Sequence, residues 1–184
     1  VGKALVEHPG VKAISFTGST AVGRGIAAFC ASSLKKSSLE LGGKNAALVF
    51  ADCDFDNAIA TVTRSCFENA GQVCLGTERV YVERPIFERF VRTLATKAQE
   101  MKPGRPFDKD TKIGPLVSKE QFDKVMGYIE AGKRDGASVA VGGDAPSADG
   151  HYVNPTVLVN VNPQMSVVRE EIFGPVVVVV PFDD

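Results

Sequence analysis

Residues 175–184 read PVVVVVPFDD, and the valine run at 176–180 decides the fold class. A strand with one face in water alternates apolar and polar residues, because successive side chains point to opposite faces. Residues 176–180 contain no polar member. The strand they predict therefore lies in a sheet covered on both faces, the setting of parallel strands flanked by helices. Residues 157–161 predict a further apolar strand.

Outward from that run, strand and helix patterns alternate. VKAISF at 11–16 predicts a buried strand, and TGST then turns into a helix over 21–32. NAALVF at 45–50 predicts a strand, followed by the acidic loop ADCD and a helix from about 55 to 68. In that helix Phe55, Ala58, Ile59, Val62 and Cys66 fall at i, i+3, i+4, i+7 and i+11, one apolar stripe, which makes Cys66 a core residue. Residues 80–83 form a short strand, and Pro85 opens a helix with Phe87, Phe90, Val91, Leu94 and Ala98 on its buried face, ended by Pro103 and Gly104. Ser118 and Gln121 make a capping-box pattern for a helix that carries Phe122, Val125, Met126 and Ile129 and stops before Gly136. Residues 138–141 predict another strand, and 142–150 a surface loop. The class is α/β with a mainly parallel sheet covered by helices.

At 184 residues and 44% hydrophobic content, the chain can bury roughly 70% of its unfolded surface and hold a core. Its 21 basic and 22 acidic residues are interspersed, which leaves neither a basic footprint for nucleic acid nor a polybasic membrane patch. No apolar run approaches the roughly 20 residues that cross a bilayer. The expected partner is a small molecule or another protein, and the expected compartment the cytoplasm. Cys30, Cys53, Cys66 and Cys74 contain no C-x-x-C pair, and His8 and His151 lie far from them in sequence, so no metal site is expected and the thiols are read as reduced. The chain opens without Met and stops just after a strand, which reads as a piece of a longer polypeptide.

Three stretches can carry chemistry. In FTGSTAVGRGI a strand, a small-residue turn and a helix start bring Gly18 and Gly23 five apart, and backbone N–H groups at such a helix N-terminus attract phosphate. Arg24-Gly25 stands where a nucleoside triphosphatase loop has Lys-Ser/Thr, which excludes that loop and leaves a tight packing turn as the plain alternative. In LELGGKN, Glu40 precedes two glycines and is either surface charge or a base for a neighbouring thiol. In ENAGQVCLGTERVYV, Cys74 sits between Gly71 and Gly76, off the apolar stripe, either as an accessible nucleophile or as a small residue buried in a turn.

Together, FTGST, LELGGK, G-Q-V-C and EEIFGP resemble the aldehyde dehydrogenase superfamily, in its order and with family-like spacing, over essentially all 184 residues. The segment around Cys74 resembles the hydroxymuconic and aminomuconic semialdehyde dehydrogenase group within it, although the betaine aldehyde group also uses G-Q-V-C. The resemblance implies oxidation of an aldehyde with NAD, NADP not being excluded. Cys74 is then the nucleophile, forming a thiohemiacetal that gives up hydride and becomes a thioester, with its own backbone N–H as one oxyanion donor. Glu40 is the general base for thioester hydrolysis. The cofactor contacts implied are Thr17, Gly18 at the close approach, Ser19 at the pyrophosphate, Val22 under the adenine, Leu41, Glu171 on the nicotinamide ribose and Phe173 beside the nicotinamide. Gln121 and Lys124 fall where family members touch that ribose, with a solvated helix face as the alternative.

Residues 1–40 are then the end of the dinucleotide-binding domain, an incomplete Rossmann-like portion, and 41–184 a catalytic domain truncated at its C-terminal end. The family's oxyanion asparagine, ribose lysine, substrate-clamping arginines and oligomerisation strands fall outside the chain. The whole protein is expected to be a homo-oligomer and the fragment inactive alone. Two readings from other classes stand beside this one: a cofactor-independent thiol hydrolase acting through Cys74, for which neither histidine is close in sequence, and a non-catalytic structural fragment.

Overall fold

The computed structural model describes residues 1–146 and 149–183. Residues 147 and 148 of the expected 142–150 loop thus lie outside the described residues. The chain divides into two compact units, Val1–Gly43 and Lys44–Asp184.

In the first unit, α1 (Gly2–Glu7) leads to β1 (Ala13–Gly18), α2 (Thr20–Ser32) and β2 (Lys36–Leu41). β1 and β2 pair in parallel, with Thr17 opposite Glu40 and Gly18 opposite Leu41. α2 crosses between them and buries Gly23, Ile26 and Cys30. Gly23 is the point of closest approach, because a Cβ there would run into the Leu41 side chain. The glycine spacing that looks like a phosphate loop in sequence is thus partly a packing device.

The second unit contains β3 (Ala46–Val49), α3 (Phe55–Phe67), β4 (Arg79–Glu83), α4 (Arg84–Glu100), α5 (Lys119–Arg134), β5 (Ser138–Val141), β6 (Thr156–Val159), α6 (Ser166–Arg169) and β7 (Val176–Phe182). Its sheet runs in the order β3-β4-β7-β6-β5. β3, β4, β7 and β6 are mutually parallel, and only the edge pair β5–β6 is antiparallel. β7 occupies the centre, and Val176 to Val179 are buried, as a run with no polar member requires.

The helices cover this sheet with the faces their spacing predicts. α3 buries Ile59, Val62 and Cys66, α4 buries Phe90, Leu94 and Ala98, and α5 buries Val125 and Ile129. Each fully buried large side chain contributes about 1.5–3 kcal/mol of transfer free energy. Their starts are fixed locally. Asp54 caps α3 by accepting from the Asn57 N–H, Pro85 lies in the first turn of α4, and the Ser118 hydroxyl accepts from the Gln121 N–H.

Candidate active site

In the first unit, the residues matched to the cofactor gather at the C-terminal ends of β1 and β2, where parallel sheets bind ligands. Ser19 caps α2, its hydroxyl accepting from the Val22 N–H at 3.4 Å, so the free N–H groups of the first helical turn point out beside Gly18. Gly18 lies over the Phe16 ring, where a Cβ would crowd it. Val22 is exposed, next to an open apolar groove that Ile14, Phe16, Ile26 and Phe29 also line. An anion-attracting helix end thus lies beside an apolar groove. Glu40 is exposed on β2, directly across from Thr17.

In the second unit, α3 ends at Phe67 and the chain turns sharply. Asn69, Ala70 and Gly71 are consecutive residues with positive φ (53°, 55° and 70°). Asn69 and Ala70 each give up about 1–2 kcal/mol to adopt this conformation. Gly71 has a second constraint, since a Cβ there would collide with the Gly174 carbonyl. The turn therefore presses against the loop before β7.

The next residues are held by side chains rather than by a ladder. The Gln72 Oε1 accepts from the Val117 N–H at 3.0 Å. The Asn45 amide donates to the carbonyls of Cys74 (2.6 Å) and Gly76 (3.1 Å), and the Thr77 and Ser65 hydroxyls lie 2.8 Å apart. The backbone around Cys74 is thus fixed from β3, from α3 and from the segment before α5, while its side chain stays in solvent.

All four cysteines are free; Cys30 and Cys66 are buried, Cys53 is half-buried and Cys74 is exposed. Burial pushes the Cys66 thiol well above the ordinary range, and the nearby Glu78 carboxylate adds to the effect. Such a thiol is inert at neutral pH. Cys74 alone among the four has the access a nucleophile needs.

Glu171 and Phe173 belong to the loop between α6 and β7. Phe173 has φ +57°. Gln121, expected at the cofactor ribose or on a solvated face, is half-buried, and its amide donates to the carbonyls of Ile172 (3.0 Å) and Phe173 (2.7 Å). Lys124 is exposed on the same helix, its ammonium 5.9 Å from the Tyr128 ring. The Tyr128 hydroxyl donates to Glu170 at 2.7 Å, and partial burial together with that bond pushes its pKa up to about 12.

Sequence reasoning misses Lys44 and Glu78 altogether. The side chains of both are buried, and the ammonium lies 2.5 Å from the carboxylate. Burial pulls the Lys44 pKa down, and the Glu78 carboxylate opposes that shift. A charged residue just before a strand ordinarily reads as surface, and contact with Ile172 and Phe173, 94 and 95 positions away, goes with its burial. Asn45 is missed for the same reason, its partners lying 29 and 31 residues on. Among the described residues no three His, Cys, Asp or Glu side chains converge as a metal site, and no helix is long and apolar enough to cross a membrane.

A helix N-terminus at the ends of parallel strands in one unit and an exposed thiol on a braced turn in the other belong to an α/β protein with mainly parallel sheets. The sequence model of the aldehyde dehydrogenase family matches residues 1–184, and the chain belongs to that family. It is 49% identical to 2-hydroxymuconic semialdehyde dehydrogenase of Pseudomonas putida and 46% identical to 2-aminomuconic 6-semialdehyde dehydrogenase of a Pseudomonas species, each match covering 99% of this chain and 38% of the relative. Among solved structures, the NAD+ complex of aldehyde dehydrogenase from Bacillus cereus superposes with a TM-score of 0.97 at 43% identity, covering 100% of this chain and 37% of that one. Betaine aldehyde dehydrogenase from Staphylococcus aureus, in complex with NAD+, superposes at 0.95 with 37% identity and the same coverage. The chain thus spans a little over one third of the length of the proteins it matches.

Proposed function

We propose that the protein to which these residues belong oxidises an aldehyde, with muconic-type semialdehydes as the favoured substrate class, to a carboxylic acid with NAD as hydride acceptor. The exposure of Cys74 on a turn whose backbone is braced by Asn45, Gln72 and Ser65 carries this reading. The Cys74 thiolate adds to the aldehyde carbon, and the resulting oxyanion takes a hydrogen bond from the Cys74 backbone N–H. NAD, which Thr17, Gly18, Ser19, Val22 and Leu41 would hold, would supply the acceptor for the hydride lost from this carbon. The carbon left behind is a thioester on Cys74, and water activated by Glu40 hydrolyses it to the acid and the free thiol.

The unit Val1–Gly43 is assigned to the cofactor, through Thr17, Gly18, Ser19, Val22 and Leu41. The unit Lys44–Asp184 is assigned to the thiol and to the nicotinamide half, through Glu171, Phe173, Gln121 and Lys124. The NAD+ complexes of the Bacillus and Staphylococcus relatives support this cofactor, and the two Pseudomonas semialdehyde dehydrogenases support the substrate class.

The test is NADH formation by the whole protein over a panel of semialdehydes and simple aldehydes. The expected result is Cys74-dependent turnover that is highest with a muconic-type semialdehyde. Turnover that survives Cys74→Ala would overturn the mechanism, and an equal response to every aldehyde would overturn the substrate class.

A further inference from the structure

Lys44 and Glu78 form an ion pair whose side chains are only 7% and 9% exposed. Removing two charges from water costs about as much as their attraction returns, so stability alone is a poor reason for such a pair. Its second set of contacts supplies a better one. The Glu78 carboxylate accepts from the Ile172 N–H at 3.0 Å on one oxygen, which also takes the Lys44 ammonium, and from the Phe173 N–H at 3.3 Å on the other. From α5, the Gln121 amide takes the carbonyls of the same two residues.

Four backbone groups of Ile172 and Phe173 are therefore satisfied by two side chains from different elements, with Phe173 in a left-handed conformation. Glu78 stands four residues beyond Cys74, and Gly71 on the other side of that thiol touches Gly174. The thiol segment and the 170–175 loop are thus joined on both flanks of Cys74.

We propose that Glu78, with Lys44 as its counter-ion, is a positioning residue: it fixes the loop that presents Glu171 and Phe173 to the nicotinamide half of the cofactor, in register with the nucleophile. The inference rests on the NAD-dependent reading above. Lys44 holds the carboxylate in orientation, while Glu78 supplies the acceptors that the loop's N–H groups lack from any strand or helix.

The test compares the wild-type whole protein with Glu78→Gln and with the double variant Lys44→Met/Glu78→Gln. In Glu78→Gln, an amide nitrogen replaces one of the two acceptor oxygens at nearly constant volume. The KM for NAD is expected to rise roughly tenfold or more, with slower hydride transfer in a single turnover, because bonds to a charged acceptor are lost. Acylation of Cys74 by p-nitrophenyl acetate without NAD is expected to stay within about twofold of wild type, since that step needs no nicotinamide. The double variant removes the orphaned ammonium and so recovers thermal stability, but its KM for NAD stays raised.

Wild-type values of KM and hydride rate in a folded variant, even one with a lowered Tm, would show a merely structural pair and overturn the proposal. Recovery of the KM along with the Tm in the double variant would overturn it as well. If Glu78→Gln does not fold, the double variant alone decides by the same two readouts. Failure of the wild-type protein to reduce NAD with any aldehyde would remove the underlying reading and this inference with it, an outcome distinct from an unaffected Glu78→Gln.

Discussion

Cys74 and Cys66 are eight residues apart and differ in their access to solvent. Cys66 lies on the buried stripe of α3 with its pKa raised by burial, while Cys74 is exposed on the braced turn. Limited alkylation of the folded chain with iodoacetamide, followed by peptide mapping, is expected to modify Cys74 first; earlier modification of Cys30, Cys53 or Cys66 would contradict the turn assignment. Tyr128 offers a second single-residue test. Its neutral form is favoured in the folded state, so its contribution to stability is complete below the ordinary tyrosine value of about 10 and is lost as pH rises through about 12. Ultraviolet phenolate absorbance should show its ionisation near pH 12, and Tyr128→Phe should remove that step. A folded chain with no ionisation near pH 12 would contradict the Tyr128–Glu170 contact.

At the scale of elements, the turn before Cys74 makes the most exacting demand. Gly71→Ala imposes a left-handed conformation on alanine and drives a methyl group into the Gly174 carbonyl. A loss of about 2–5 kcal/mol, the sum of those two costs, is expected from urea unfolding; a loss below about 1 kcal/mol would show that the two loops do not touch. Elements of this unit were legible in the sequence where one local signal sufficed. The valine run gave central β7, the apolar stripe gave α3, and Ser118 gave the start of α5. β2 was not legible, because Lys36-Ser37-Ser38 has weak strand preference and becomes a strand by pairing with β1. α1, at six residues, is too short to show a period, and it buries none of its residues. For the candidate site, the exposure of Cys74 agrees with its glycine-flanked segment, but the bracing of that segment was not legible. Asn45, Lys44 and Glu78 acquire their roles only through contacts across 29 to 95 residues, which no local pattern encodes.

At the scale of the whole molecule, the chain covers 38% of its Pseudomonas relatives, and the chemistry proposed for it divides into an acylation half and a deacylation half. Replacing Glu40 with Gln in the whole protein should leave the first hydride transfer and slow steady-state turnover about 10²- to 10⁴-fold, giving a burst of NADH followed by a slow phase. Unchanged turnover would remove Glu40 from the mechanism. The 184-residue chain by itself is expected to fold yet give no NADH with any aldehyde, because hydride transfer needs the nicotinamide held in near-attack geometry, worth several kcal/mol of the barrier. Robust Cys74-dependent turnover by the isolated chain would contradict that expectation. The central claim, that Cys74 carries the acyl group between hydride transfer and hydrolysis, is tested most directly by intact-protein and peptide mass spectrometry of the whole protein, quenched during turnover with a semialdehyde and NAD. An acyl adduct on Cys74 is expected, accompanied by NADH and accumulating in Glu40→Gln; an adduct on another residue, or NADH released without any adduct in Glu40→Gln, would contradict this role of Cys74.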